Sequence, residues 1–151
     1  MTKSKRMQPV ARVAEQRERK AAVEMAEFRR FLEAQQAKLD ELNAYRSDYA
    51  RHFETAGRGG MDAARMADFR RILARLNDAI AYQEQRLASL HSDYEQVRRR
   101  WTDTRTRAAA LDKVMERYRE EERREGDRRE QSESDERAQF AGPGATGSRE
   151  R

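Results

Sequence analysis

The sequence predicts an all-α fold, a long antiparallel two-helix coiled-coil hairpin, from three features of its pattern. Apolar residues recur at alternating steps of three and four along two long segments. A short glycine-rich break separates these segments, and beyond the second one the chain becomes almost wholly charged. A repeat of 3.5 residues keeps one narrow seam facing a partner helix. The two segments are therefore expected to fold back and pack against each other, with a charged helical extension and a disordered tail after them.

The first seam defines a helix over residues 9–55, preceded by a frayed, basic leader over residues 1–8. Proline lacks an amide donor and clashes with the preceding turn, so Pro9 is expected to mark the start of this helix. The seam positions are Met7, Ala11, Ala14, Glu18, Ala21, Met25, Phe28, Leu32, Gln35, Leu39, Leu42, Arg46, Tyr49 and Phe53.

The break between the helices is a turn over residues 56–61, which contains Gly57-Arg58-Gly59-Gly60. Gly57 suits the left-handed position that commonly follows a helix end, so the chain is expected to fold back about Arg58. Asp62 can cap the second helix by accepting a bond from a free amide of its first turn. A phosphate-binding loop is excluded, because the break lacks the preceding strand and the Lys-Ser/Thr pair.

The second seam defines a helix over residues 62–137, and residues 1–140 form a single hairpin domain. Its seam positions are Met66, Phe69, Leu73, Leu76, Ile80, Gln83, Leu87, Leu90, Tyr94, Val97, Trp101, Thr104, Ala108, Leu111, Met115 and Tyr118. Beyond Tyr118, opposite charges three and four residues apart support an exposed helix. Gly126 is expected to interrupt it, at about 1 kcal/mol relative to alanine. Residues 141–151 are predicted to be disordered.

The composition agrees with a thin rod. Charged residues make up 40% of the 151 residues and hydrophobic residues 36%, so the apolar side chains suffice for one seam and not for a sizeable core. No apolar run is long enough to span a membrane. The chain has no cysteine, which excludes disulfides and thiolate sites and fits a reducing cytoplasm.

The sequence offers no catalytic, cofactor-binding or metal-binding site. The two histidines, His52 and His91, have no metal-ligand spacing and are expected to be solvent-facing helical residues. The carboxylates are mostly interleaved with arginines, and acid–base catalysis needs a dry pocket that shifts a pKa. The chain is therefore expected not to be an enzyme.

A basic cluster, Arg98-Arg99-Arg100 beside Trp101, leaves two interpretations open. The chain carries a net charge of +5, so this cluster could bind a nucleic acid non-specifically. However, Glu95 and Asp103 flank the cluster, and Trp101 falls on the seam, where burial is the simpler explanation. We expect no specific nucleic-acid partner, and the same arginines could contact an acidic protein surface.

The apolar stripe is wider near the turn than one partner helix requires. Leu42, Tyr49 and Leu76 lie on the seam, whereas Tyr45, Ile72 and Ala79 lie beside it. Wide stripes can simply pack better. Alternatively, an exposed apolar patch with tyrosine anchors docks another protein.

These residues in order resemble the FliJ family of flagellar type III export proteins, from Val10 to about Phe140. The likeness rests on the early Ala/Glu/Arg-rich helix, the Tyr45-Arg-Ser-Asp-Tyr49 element and the glycine turn. It continues through residues 69–87, Arg100-Trp101, and a late Gln-x-x-x-Asp-Glu signature at Gln131, Asp135 and Glu136. Heptads alone would be weak evidence, but this ordered set is more specific.

The resemblance implies a non-catalytic rod in the cytoplasmic flagellar export apparatus, without a cofactor. Its partners would be the hexameric export ATPase, the cytoplasmic domain of the transmembrane export gate, and export chaperones that it recycles. The gate surface maps by resemblance to Leu42, Tyr45, Tyr49, Ile72, Leu76 and Ala79. The ATPase side maps to Gln131, Asp135 and Glu136.

By the same resemblance the protein is expected to be a monomer, peripheral on the cytoplasmic face of the inner membrane at the flagellar base through protein contacts. The alternative is a generic homodimeric coiled-coil scaffold that uses the same seam between chains. The mass of the protein in solution separates these two possibilities.

Overall fold

The structure, a computed structural model, describes residues 1–142 and confirms the all-α helical hairpin. Helix α1 spans Lys3–Arg58 and helix α2 spans Ala63–Phe140, joined by residues 59–62. Residues 1–142 contain no strand. The disorder expected over residues 141–151 concerns mainly residues that lie outside the described range.

Packing divides the molecule into two compact units, in each of which a segment of α1 runs antiparallel to a segment of α2. Unit 1 combines Met1–Gln16 with residues 105–142 of the described chain. Unit 2 is Arg17–Thr104 and contains the turn. The single hairpin domain over residues 1–140 remains a prediction.

The buried side chains follow the predicted seam. They are Leu32, Gln35, Ile80, Gln83, Leu87 and Met115, and all six occupy seam positions. Even Ile80, the best covered of them, keeps 3% of its surface exposed. Full burial of such an apolar side chain contributes about 1.5–3 kcal/mol, so stability comes from many partial burials along a narrow strip.

Two buried amides interrupt the apolar seam of unit 2. Gln83 Nε2 donates to both the backbone oxygen and the side-chain Oε1 of Gln35, each at 3.0 Å. In another register, either glutamine would face an apolar side chain. Its buried amide would then lack a hydrogen-bond partner, which costs about 1–3 kcal/mol. The pair therefore favours the one register that places the two glutamines together.

Aromatic contacts fix the same register closer to the turn. The Phe69 ring lies 5.1 Å from the Tyr49 ring and 5.3 Å from the Phe53 ring, centroid to centroid. These contacts and the Gln35–Gln83 pair centre the hairpin close to Gly60, slightly beyond the Arg58 expected from the sequence. The reason is that α1 continues through Gly57, and Gly60, with φ of 86°, is the residue in the left-handed conformation. The expectation for Gly57 was wrong, and its carbonyl instead accepts a bond from the Gly60 amide at 3.3 Å.

The cap predicted for the second helix is present. The Arg65 amide donates to Asp62 Oδ1 at 2.8 Å, and the Met66 amide donates to the Asp62 backbone oxygen at 3.1 Å. The side-chain bond satisfies one of the amides that a helix start leaves free.

The first helix begins at Lys3, so the expectation of a frayed leader over residues 1–8 and a helix start at Pro9 was wrong. A proline in a helix interior costs about 3 kcal/mol or more, and contacts from unit 1 offset this cost. The Ser4 amide and hydroxyl donate to the two carboxylate oxygens of Glu122, at 3.0 and 2.7 Å. The Lys3 ammonium lies 5.6 Å from the centre of the Tyr118 ring. These contacts join residues more than a hundred positions apart, which no local signal could reveal.

The charged extension of α2 is helical, and Gly126 does not interrupt it. Arg124 pairs with Glu120 at 3.2 Å and Arg129 pairs with Glu125 at 3.3 Å. The second pair bridges Gly126 one helical turn apart. Pairs of this kind contribute only a few tenths of a kcal/mol each. The flanking residues nevertheless favour the helix strongly enough to offset the cost of one glycine.

We predict that Gln83→Leu lowers the free energy of unfolding by about 1–3 kcal/mol, because it leaves the Gln35 side chain buried without its partner. The double variant Gln35→Leu/Gln83→Leu should recover most of this loss, since two leucines extend the apolar seam. Urea unfolding followed by circular dichroism measures both values. Additive losses in the double variant would contradict the pairing.

We also predict that Glu122 titrates below the ordinary glutamate value. The bonds from the Ser4 amide and hydroxyl lower the pKa of Glu122. A carboxyl with a lowered folded-state pKa stabilises the fold above its unfolded pKa, and this contribution is lost as the pH falls through the folded pKa. The amide chemical shift of Ser4, followed by NMR, should report this titration, and Glu121→Gln serves as the control for Glu122→Gln. An inflection at the ordinary glutamate value would contradict the contact.

Candidate partner-binding site

The two sides of the seam are distinct surfaces. Successive seam residues are separated alternately by two and by three residues. Where three residues intervene, the last of them lies on one side of the seam and the first lies on the other side. We name the side of the last residue flank A and the side of the first residue flank B. In unit 2, flank A consists of Arg17, Glu24, Phe31, Lys38, Tyr45, His52, Arg65, Ile72, Ala79, Arg86, Asp93 and Arg100.

The contacts of flank B support this assignment. Arg29, Gln36 and His91 each occupy the first position of a longer gap, and they line one open depression of about 300 Å³ together with Glu33 and the seam residues Leu32 and Tyr94. Residues of both helices at this position thus share one side. In an antiparallel pair, the last positions of the longer gaps then share the other side, which is flank A.

The structure separates the six residues of the predicted gate surface into two groups. Leu42, Tyr49 and Leu76 are half-buried on the seam, whereas Tyr45, Ile72 and Ala79 are exposed on flank A. The Tyr45 side chain is 57% exposed and that of Ile72 is 38% exposed. The half-buried residues therefore hold the helices together, and the exposed ones are available to a partner.

Tyr45 is held in place although it is exposed. Its ring stacks on Tyr49, with 6.3 Å between centroids and 28° between planes, and Tyr49 in turn packs on Phe69. Burial raises the pKa of Tyr49, and the charges of Tyr45 and Asp68 add to this effect. A partner that binds Tyr45 therefore meets an ordered ring and loses less conformational entropy.

One exposed aromatic residue of flank A was missed in the sequence analysis. Phe31 is 41% exposed and packs edge-on against Phe28, with ring centroids 6.3 Å apart. Its position directly before the seam residue Leu32 was the available signal, because Tyr45 and Ile72 stand in the same position of the repeat. Phe31 thus belongs to the same side of unit 2 as the exposed gate residues.

Flank B is more polar. Arg29 Nη2 donates to the Tyr94 hydroxyl at 3.0 Å, and this bond raises the pKa of Arg29. The Tyr94 ring also stacks on Phe28 with 5.9 Å between centroids. Because these groups already bond to one another, the side chains around the depression contribute to helix packing.

The residues expected on the ATPase side lie in the exposed extension of α2. Gln131, Asp135 and Glu136 are all exposed, and Gln131 Nε2 donates to Asp135 Oδ1 at 3.3 Å. Every residue from Arg123 to Phe140 is exposed. Within the described part of the chain, this segment of α2 is therefore exposed to solvent on all sides.

The basic cluster is engaged in the fold. Trp101 is half-buried, and its indole nitrogen donates to Glu18 Oε1 at 3.2 Å. Arg98 lies 3.7 Å from Glu95. The tryptophan thus packs in the seam, which favours the interpretation that burial explains its position.

His52 and His91 are both exposed, on flank A and in the flank B depression respectively. Within residues 1–142 no group of three or more histidine or carboxylate side chains is arranged to hold a metal ion. Neither α1 nor α2, as far as they are described, includes a segment long and apolar enough to cross a membrane.

The fold and the exposed flank define a class of protein, a two-helix coiled-coil hairpin with apolar surface positions available to a partner. The family model described as Flagellar FliJ protein matches residues 3–144 of the 151-residue chain, and the chain belongs to this family. It is therefore a component of flagellar protein export and motility. No curated protein and no solved structure matches the chain significantly.

Proposed function

We propose that this chain is a non-catalytic adaptor of the flagellar export apparatus. It binds the export ATPase ring and the cytoplasmic domain of the transmembrane export gate, and it assists the recycling of export chaperones. The observation that carries this proposal is the family match over residues 3–144. The ordered, exposed apolar side chains on flank A support it, because a coiled coil does not need them for its own packing.

The gate surface comprises Leu42, Tyr45, Tyr49, Ile72, Leu76 and Ala79. The exposed members Tyr45, Ile72 and Ala79 supply the contact area, and the seam members hold these side chains in place. A few apolar and tyrosine anchors commonly supply most of the energy of a protein interface. Surface charge would steer the approach of the gate.

The ATPase surface comprises Gln131, Asp135 and Glu136. An exposed helix with solvent-facing carboxylates suits a basic surface, such as the inner wall of a ring that binds nucleotides elsewhere. The adaptor does no chemistry itself and would couple nucleotide turnover to opening of the gate.

The protein acts as a monomer at the cytoplasmic face of the inner membrane, at the flagellar base, and is held there by protein contacts. Intramolecular pairing of α1 with α2 supports the monomer, because it occupies the seam that a homodimer would use. The rival is a homodimeric scaffold. Sedimentation equilibrium separates the two, since a mass of two chains at micromolar concentration would favour the scaffold.

We predict that Tyr45→Ala/Ile72→Ala weakens binding to the purified gate domain by about tenfold or more, because interface anchors contribute about 1–3 kcal/mol each. Val23→Ala is the control, since Val23 is 56% exposed, lies on neither flank and is far from the gate surface along α1. Isothermal titration calorimetry measures the affinity, and circular dichroism checks that each variant is folded. If the two variants bind the gate domain with equal affinity, the gate surface does not lie on flank A.

We predict a separate loss at the other surface. The triple variant Gln131→Ala/Asp135→Ala/Glu136→Ala should reduce stimulation of ATP turnover and ring formation by the cognate export ATPase about threefold or more. The matched control is Asp127→Ala/Glu130→Ala/Gln139→Ala, which removes the same side-chain types from the same exposed helix. If the two triple variants stimulate the ATPase equally, Gln131, Asp135 and Glu136 are not the residues that contact the ATPase.

A further inference from the structure

The exposed apolar side chains of flank A do not end at the proposed gate surface. Because the hairpin centres near Gly60, the flank A residues of α1 and α2 alternate along the flank. Proceeding away from the turn, the order is Ile72, Tyr45, Ala79, Lys38, Arg86 and Phe31. Successive flank residues on one helix are seven apart, or about 10 Å. Two cations thus stand between an apolar group around Tyr45 and a second apolar group at Phe31.

Neither of the two cations is neutralised by an ion pair. Lys38 and Arg86 are exposed, and within the described residues 1–142 neither of them forms an ion pair. The residues three and four positions from Arg86 are not acidic; they are Tyr82, Gln83, Ser89 and Leu90. Lys38 has one acidic residue at such a spacing, Glu41, but the two side chains do not form an ion pair. This contrasts with Arg51, which lies 2.7 Å from Asp48. The positive charge between the apolar groups therefore remains available to an outside anion.

The sign of the charge changes on the far side of Phe31. Asp93 and Glu24 are the next flank A residues, and both are exposed. An acidic partner that is attracted to Lys38 and Arg86 would be repelled there. The charge pattern thus ends the surface at Phe31 on the side away from the turn.

We propose that the gate-docking surface of flank A extends through Lys38 and Arg86 to Phe31. Its occupant is an acidic segment of the export gate's cytoplasmic domain, with carboxylates between two apolar groups. This inference rests on the proposed function and adds the chemistry of the partner. Tyr45 and Phe31 are fourteen residues apart on α1, which corresponds to about 21 Å. The matching apolar groups of the partner are separated by the same distance, with the carboxylates between them.

The test measures the affinity of the full-length chain for the purified cytoplasmic domain of the cognate export gate protein. Lys38→Glu/Arg86→Glu should weaken binding about tenfold or more at low salt, because it places like charges in contact. Phe31→Ala should weaken it about fivefold or more. The matched control Lys20→Glu/Lys113→Glu makes the same charge change at exposed positions on neither flank and should stay within about twofold.

Salt provides an independent readout. The wild-type affinity should fall between about 50 mM and about 500 mM salt, since exposed charge interactions are screened. Lys38→Gln/Arg86→Gln should lose most of this salt dependence while it keeps the apolar contacts. A salt dependence equal to that of the wild-type protein would overturn the role of the two cations.

The outcomes separate the inference from the proposed function. If Tyr45→Ala/Ile72→Ala weakens gate binding while the Lys38/Arg86 and Phe31 variants behave like the control, the extension is wrong and the gate surface stands. If none of these variants weakens binding, the gate surface on flank A fails as well. If the charge reversal abolishes self-association instead, the occupant is a second copy of this chain and the proposal is overturned.

Discussion

The seam between α1 and α2 is only about one side chain wide, and the other features of the structure depend on this limit. Two helices that repeat every 3.5 residues bury a strip and leave both flanks in water. Among the described residues only six are buried, and two of them are glutamines. Stability must therefore be spread thinly along the helices. Apolar side chains beside the seam, such as Tyr45 and Ile72, remain exposed because the described hairpin has no third element to cover them.

A narrow apolar strip specifies register poorly, because leucine packs against leucine in several alignments. The Gln35–Gln83 pair resolves this ambiguity, since other alignments leave buried amides unsatisfied. Phe69, which packs between Tyr49 and Phe53, adds a shape constraint near the turn. The register then decides which residues of α1 and α2 become neighbours on flank A. In this way, two buried amides determine the order of the surface that we assign to the gate.

Local rules predicted the features that local physics controls. The alternation of threes and fours identified both helices, and Asp62 was recognised as a cap because its carboxylate precedes free amides. The start of α1 was misplaced, because the contact of Ser4 with Glu122 overrides the local effect of Pro9. The left-handed glycine was also misplaced, since α1 can extend to Arg58 when Gly60 makes the turn.

The candidate site was only partly predictable for a similar reason. Both glutamines were placed on the seam from sequence, but their pairing requires the register. Tyr45, Ile72 and Ala79 were noticed because they widen the stripe near the turn. Phe31, whose neighbours along flank A are the charged Arg86 and Asp93, escaped notice until the flank was defined. The family match places the chain in flagellar export, whereas its contact residues remain proposals.

The central claim is that one chain folds back on itself in a register that places Tyr45 between Ile72 and Ala79 on flank A. Intramolecular cross-linking tests it directly, because the chain contains no cysteine and introduced thiols have no background. The Tyr45→Cys/Ala79→Cys protein should react with a short bismaleimide to give a cross-linked product with the mass of one chain. A product with the mass of two chains, or intrachain cross-linking that requires Asn77→Cys on flank B in place of Ala79→Cys, would contradict the account.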